Sequence, residues 1–264
     1  MKDLYNNDII IKKSYNGLDY IQFKRLLDLG VKNAYSLKSD GFGFRTATPT
    51  EEKSYKTLCE AVGLDYKNRV KPLQRHTSNV RCIDRVVPKE ELMGIDGLIT
   101  DKKDIVLAST NADCQLMVMY DPVKKVIANI HSGWRGTYEK IAERAIDKMI
   151  NYYRCDPKDI IVALSPSIRK CHFEVEEEVK LLCEEIFKYT GRLDEIISVG
   201  EVRDGVQKYL IDTVLINKIL LTDMGILEEN IIDCGICSMC HSDKIHSRRA
   251  DGETYQLGSL IISL

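Results

Sequence analysis

The sequence predicts an α/β fold in one domain over residues 1–264, a mixed-sheet sandwich covered by helices. Three observations predict it. Short apolar runs, such as Leu116 to Tyr120 and Val126 to Ile130, read as buried strands. Longer segments with apolar residues three and four apart read as helices. The two kinds interleave without the strict rhythm of an all-parallel sheet, and no repeat, low-complexity tract or linker divides the chain.

The elements follow in order. Thr48-Pro49-Thr50-Glu51 has the form of a capping box with proline at the first helical position, starting a helix to about Gly63. Strands are expected at 105–109, 116–120 and 126–130, the last two forming a hairpin about Asp121-Pro122-Val123-Lys124. Helices follow at 137–153 and at 175–190, before Gly191, with a strand at 160–164 between them. A helix at 212–224, ending before Gly225, buries Val214, Leu215, Ile219 and Leu220. Strands at 231–234 and 260–262 complete the set.

Composition excludes several classes. Lys plus Arg is 38 against 40 for Asp plus Glu, a net charge of −2 with no block of one sign, so a general nucleic-acid binder is not expected. No apolar run approaches the roughly 18 residues of a membrane helix, and the first residues lack the apolar centre of a signal peptide. The expected location is the cytoplasm, without a membrane partner. Nine cysteines in such a chain are expected as reduced thiols, free to bind metal or do chemistry.

The hairpin carries the chemistry. With a four-residue loop, Tyr120 faces Lys125 and Cys114 faces His131, with Cβ atoms about 4.5–5.5 Å apart, close enough to share one metal ion or a thiol–imidazole hydrogen bond. A one-residue slip would separate them. His76, in a polar segment before a strand-like run, is the third candidate. Alone, each reads as an ordinary structural residue; together, a His, Cys, His set suits zinc or copper and leaves a fourth position open for water or substrate. Ser132-Gly133-Trp134-Arg135-Gly136-Thr137 then opens a helix, where free amides and the Arg135 fork suit a phosphate or carboxylate and Trp134 offers a flat wall. The same glycines also suit a plain tight connection. Cys234, Cys237, Cys240 and His241 have the spacing of a zinc or iron–sulfur half-site, but Cys234 ends a buried-looking strand and no second ligand pair stands at zinc-ribbon distance. Cys59, Cys82, Cys155 and Cys183 have no partner motif.

These motifs, in order, resemble a known family. Gln74-x-His76, Asp96-Gly97-Leu98-Ile99-Thr100, Ala112-Asp113-Cys114, His131 to Thr137, Ser165-Pro166-Ser167-Ile168 and Cys171-His172-Phe173-Glu174-Val175 are similar to the YfiH-like proteins. That family has been labelled multicopper polyphenol oxidoreductase or laccase-domain, and later purine nucleoside phosphorylase. The likeness runs from about residue 70 to the end; residues 1–70 match weakly. It implies the mixed α/β sandwich shared with cytotoxic necrotizing factor, whose toxin domain uses a Cys–His pair. It gives metal-ligand and catalytic roles to His76, Cys114 and His131, and substrate-side roles to Gln74, Trp134, Arg135, Arg249 and Cys237. Where the family often has Tyr-Arg-Arg and Thr-Gly-Arg, this chain reads Arg248-Arg249-Ala250 and Thr254-Tyr255-Gln256, which removes two arginines.

Ligand supply separates the activities. A four-copper oxidase needs about ten histidines; this chain has five. A single copper with polyphenol oxidase activity survives that count. The resemblance implies a purine nucleoside phosphorylase acting on adenosine, inosine and S-methyl-5'-thioadenosine with phosphate, with adenosine deaminase activity, and zinc or copper as cofactor. A Cys–His hydrolase acting on a peptide or peptidoglycan fragment is the alternative. A non-catalytic metal-binding protein is the third reading.

Overall fold

The computed structural model describes residues 4–264. In chain order, the strands are β1 (Ile10–Tyr15), β2 (Leu18–Phe23), β3 (Lys32–Ser36), β4 (Arg69–Val70), β5 (Val80–Cys82), β6 (Gly97–Thr100), β7 (Val106–Asn111) and β8 (Gln115–Asp121). After these come β9 (Val126–Ser132), β10 (Ile161–Leu164), β11 (Glu174–Val175), β12 (Ile197–Arg203), β13 (Val206–Ile211), β14 (Ile231–Asp233) and β15 (Gly258–Ser263). The α-helices are α1 (Lys24–Asp28), α2 (Glu51–Ala61), α3 (Trp134–Tyr138), α4 (Ile141–Tyr153), α5 (Glu177–Phe187), α6 (Leu193–Ile196), α7 (Thr213–Asp223) and α8 (Arg248–Asp251).

Two six-stranded mixed sheets stack face to face. The first has the order β1-β2-β3-β15-β7-β4 and the second β14-β10-β8-β9-β6-β5, while β11-β13-β12 form a small third sheet. Alternation along β8 explains its unbroken apolar run. Leu116, Val118 and Tyr120 face the first sheet, packing with Leu107 and Leu260, and Met117 and Met119 face Ile146, Met149 and Leu220 of α4 and α7. On the outer face of the first sheet, Tyr55 and Leu58 of α2 cover Tyr20, Ala34 and Ile261. The layers are therefore helix, sheet, sheet, helix, the sandwich expected.

Four expectations need correction. The hairpin loop is Pro122 to Lys125, so Asp121 pairs with Val126 and Leu116, rather than Cys114, lies opposite His131. The Asp121 carboxylate sets this turn by accepting from the amides of Val123 and Lys124, both at 2.8 Å, and Lys125 takes a left-handed φ of 56°. The helix expected at 137–153 is two helices, α3 and α4, separated at Lys140, whose φ is 60°. The capping box does not form either. Glu51 accepts from the Ala47 amide at 2.8 Å and from Lys71, and the Thr48 hydroxyl donates to the Arg45 carbonyl. In α7, Leu215 is only half-buried, whereas Val214, Ile219 and Leu220 are buried.

Candidate metal centre and substrate clefts

The chain crosses between the two large sheets three times at one end of the sandwich, and two of these connections carry the candidate ligands. The connection from β4 to β5 carries His76, and the short one from β7 to β8 carries Cys114. His131 sits near the end of β9 on the face turned toward the first sheet. A two-residue shift of register leaves side chains on the same face, so Cys114 still shares a face with His131. The residue opposite Cys114 in the extrapolated register is Gly133. A Cβ there would lie 2.7 Å from His76 Cδ2 and 3.2 Å from Cys114 Sγ, so the missing side chain is the space the ligands occupy.

One ligand atom from each of His76, Cys114 and His131 lies within 4.8 Å of the others. The two rings meet edge to face, 4.9 Å between centroids. His131 is buried, Cys114 half-buried and His76 exposed, so the set is fixed on one side and open on the other.

A buried carboxylate, whose role the sequence reading did not assign, organises the set. Asp96, 1% exposed, accepts from His131 Nδ1 at 2.8 Å and from the backbone amides of Arg75, His76 and Thr77, each at 3.0 Å. It thus orients one histidine directly and the other through its backbone. His76 has a φ of 60° and Asp113 a φ of 84°, conformations costing on the order of 1–3 kcal/mol each unless held. Asp96 holds the first. The Asp113 carboxylate, accepting from Ser238 Oγ at 2.6 Å and the Arg249 amide at 2.8 Å, holds the second. Asn111 fixes the same turn by donating to the Cys114 carbonyl at 2.6 Å.

The electrostatics follow from these contacts. Burial opposes ionisation of Cys114, yet the imidazoles of His131 and His76 hold its thiol down at about 6. Burial also opposes protonation of His131, but the Cys114 thiolate and Asp96 hold it up at about 9. Against burial, His131 and the amides of Thr77 and Arg75 keep Asp96 at about 2. Each group of the pair thus favours the charged form of the other, and a metal ion in place of the shared proton would take His131 as a neutral imidazole. Thiolate and imidazole donors, with a carboxylate behind one ring, fit zinc or copper, and three ligands leave an open position.

Two clefts, about 440 and 700 Å³, meet at this centre and share Arg75, His76, Cys114 and Arg248. The larger is also walled by Trp134, Arg135, Phe173 and Arg249. Arg135 stacks on Trp134, 4.2 Å from its ring centre. Four exposed arginines, Arg75, Arg135, Arg248 and Arg249, therefore line the larger cleft, while Ala250 and Gln256 stand where the family often has arginine. Gln74 lines the smaller cleft, but its amide is bound to the backbone of Thr110 in both directions at 2.8 Å. Cys237 lines neither cleft; its sulfur lies against Cys171 and His172. The anion site expected at a long helix N-terminus shortens to the single-turn α3, leaving the arginines as the cationic groups of the cleft.

The remaining histidines are placed elsewhere. His172 joins three cysteines, His241 lies edge-on to Tyr5 at 6.3 Å, and His246 is buried, its pKa pushed down to about 4 by burial and Lys38. No helix among the described residues is long and apolar enough to cross a membrane.

Such a sandwich, with a buried histidine, a half-buried cysteine and an exposed histidine at the junction of arginine-lined clefts, defines a class of α/β proteins with a candidate metal centre open on one side. The sequence pattern described as multi-copper polyphenol oxidoreductase laccase matches residues 41–263, and the chain belongs to that family. Purine nucleoside phosphorylase LACC1 of Mus musculus is 30% identical over 217 residues, covering 81% of this chain and 47% of that protein. Adenosine deaminase RL5, from an unknown prokaryotic organism, is 32% identical over 204 residues, 74% of this chain and 75% of the other. The chain thus spans about half the length of its Mus musculus and Homo sapiens relatives. The hypothetical protein YfiH of Bacillus licheniformis has the same fold, with a TM-score of 0.82 at 21% identity over 95% of this chain and 100% of that one. The family expected from the motifs is the family found.

Proposed function

We propose that this protein is a purine nucleoside phosphorylase using adenosine, inosine or S-methyl-5'-thioadenosine with phosphate, and that it deaminates adenosine in the same cleft. The observation that carries this reading is the meeting of two clefts at Cys114 and His76, with Arg75 and Arg248 common to both and His131 lining the smaller. Guanidinium groups suit phosphate, and the names of two relatives, a phosphorylase and a deaminase, point to purine nucleosides.

The purine lies in the larger cleft against Trp134 and Phe173, whose flat faces suit a heterocycle. Phosphate is held by Arg75 and Arg248, with Arg135 beside it. A phosphate oxygen bonds to the anomeric carbon as the bond from that carbon to the purine nitrogen breaks; the electron pair leaves with the purine, which takes a proton at a ring nitrogen. His76, exposed and common to both clefts, is the ring placed to exchange that proton when it is not engaged as a metal ligand. His131 keeps Nδ1 on Asp96 and so turns its other nitrogen to Cys114. A zinc or copper ion held by His76, Cys114 and His131 would supply Lewis acidity, polarising a substrate oxygen or nitrogen.

The test is a product screen on several nucleosides with and without phosphate. Ribose 1-phosphate is expected, and free ribose alone would reject phosphorolysis. Cys114→Ala is expected to abolish both metal binding at this centre and turnover, and normal turnover by that variant would overturn the assignment. Arg135→Ala is expected to raise the KM for phosphate roughly tenfold, the loss of one charge-assisted hydrogen bond.

The Cys114–His131–Asp96 alignment also supports a Cys–His hydrolase, because a thiolate beside an imidazolium oriented by a carboxylate is an activated nucleophile. Covalent trapping of Cys114 by an acyl substrate analogue, with activity kept in chelator, would favour that reading.

A further inference from the structure

A second cluster of ligand-type side chains lies outside the clefts. Cys171 and His172 follow the loop after β10, and Cys237 and Cys240 follow β14; one donor atom from each falls within 4.8 Å of the rest. The Cys171 sulfur is 3.6 Å from that of Cys237 and 3.8 Å from that of Cys240. His172 Nδ1 is 3.2 Å from Cys171 Sγ, 3.8 Å from Cys237 Sγ and 3.4 Å from Cys240 Sγ.

These are the edges of a coordination tetrahedron. With Zn–S about 2.3 Å and Zn–N about 2.0–2.1 Å, tetrahedral angles require about 3.8 Å between sulfurs and about 3.6 Å from sulfur to nitrogen. The observed edges scatter about those values. They are too short to enclose an iron–sulfur cluster, whose metals stand between its cysteines. They are too long for a disulfide, which needs about 2.05 Å.

We propose that Cys171, His172, Cys237 and Cys240 form a closed structural zinc site. All four positions come from the protein, unlike the open centre at Cys114, so the site holds two segments rather than a substrate. The backbone brings those segments together independently. Ser167 pairs with Cys237, the Ser167 amide donates to the Ile236 carbonyl at 3.2 Å, and the Ser238 amide donates to the Ser167 carbonyl at 3.0 Å. The half-site legible at Cys237-x2-Cys240 is completed by a pair distant in sequence, not by Cys234, which is buried in the core beside Ile236, nor by His241.

The clamp supports a wall of the larger cleft. Phe173 follows His172 directly, and the Arg249 guanidinium donates to the carbonyls of His172 at 3.1 Å and Glu174 at 3.2 Å. Zinc at this position fixes the strip of chain on which both wall residues depend.

The full-length chain, purified under reducing conditions, is assayed for zinc and iron by mass spectrometry. Two zinc ions per chain are expected; Cys171→Ser/Cys240→Ser and Cys114→Ala should each retain one. Cobalt(II) added to zinc-free Cys114→Ala should give the intense charge-transfer absorption of three thiolates, a readout on a chain with the second cluster intact. Unchanged zinc content in the double variant, iron in place of zinc, or no thiolate–cobalt band in Cys114→Ala would each overturn the proposal. A disulfide among Cys171, Cys237 and Cys240 in the reduced protein would do the same.

Discussion

At the scale of single residues, the absence of a side chain at Gly133 matters as much as the ligands. A methyl group there would stand 2.7 Å from the His76 ring and 3.2 Å from the Cys114 sulfur, so one of them must move. Gly133→Ala is expected to weaken metal binding at that centre on the order of tenfold or more, read by competition with a chromophoric chelator, while the circular dichroism spectrum stays that of the parent. The nearness of Cys114 and His131 was legible because they flank a hairpin whose side-chain period is two, and a register shift of two residues left them on one face, whereas nothing local brings His76 to them. The contribution of Asp96 was not legible. Its motif was visible, but a carboxylate acts here by receiving three amides and a ring nitrogen from segments whose convergence no local pattern records.

Elements are placed by contacts that propensity does not describe. The periodicity of residues 137–153 runs on without a break, yet Lys140 turns left-handed and starts α4 afresh, with no capping side chain to announce it. Glu51 is drawn from its expected capping role by the buried Lys71, 2.6 Å away. A similar ion pair ties β14 to the loop after β10. Burial pushes the Asp233 carboxyl up, but Arg169, Lys218 and the Gly235 amide together hold it well below the usual carboxylate range. Asp233→Asn leaves the Arg169 guanidinium without its counter-charge and is expected to cost about 3 kcal/mol in urea unfolding near neutral pH. A depressed folded-state pKa contributes stability that is complete above the unfolded carboxyl value and lost as pH falls below it. The difference between wild type and variant should therefore shrink below about pH 4, and a pH-independent difference would reject this account.

At the scale of the whole molecule, the layers were legible because buried strands read as apolar runs and covering helices as amphipathic ones. The pairing order was not, since β15 inserts between β3 and β7 from the far end of the chain. The two large sheets are held in register by a polar link inside their shared core. Asn129 of β9 donates to the carbonyls of Leu107 at 3.1 Å and Leu260 at 2.9 Å, and accepts from Ser109. Asn129→Ala is expected to destabilise the fold by about 2–3 kcal/mol in denaturant titration, because these buried groups lose their partners without gaining water.

The fork at the metal centre has a kinetic consequence. A mouth past Gln74 and Tyr255 and an aromatic mouth past Trp134 and Phe173 meet at one point, so the phosphorolysis proposed above has a separate entrance for each reactant. Both can be present together, in either order of addition. For the proposed phosphorolysis, double-reciprocal plots at varied phosphate should then intersect rather than run parallel, the pattern of a ternary complex, and a dead-end analogue of either reactant should bind the free protein, as it would not if that reactant had to arrive second.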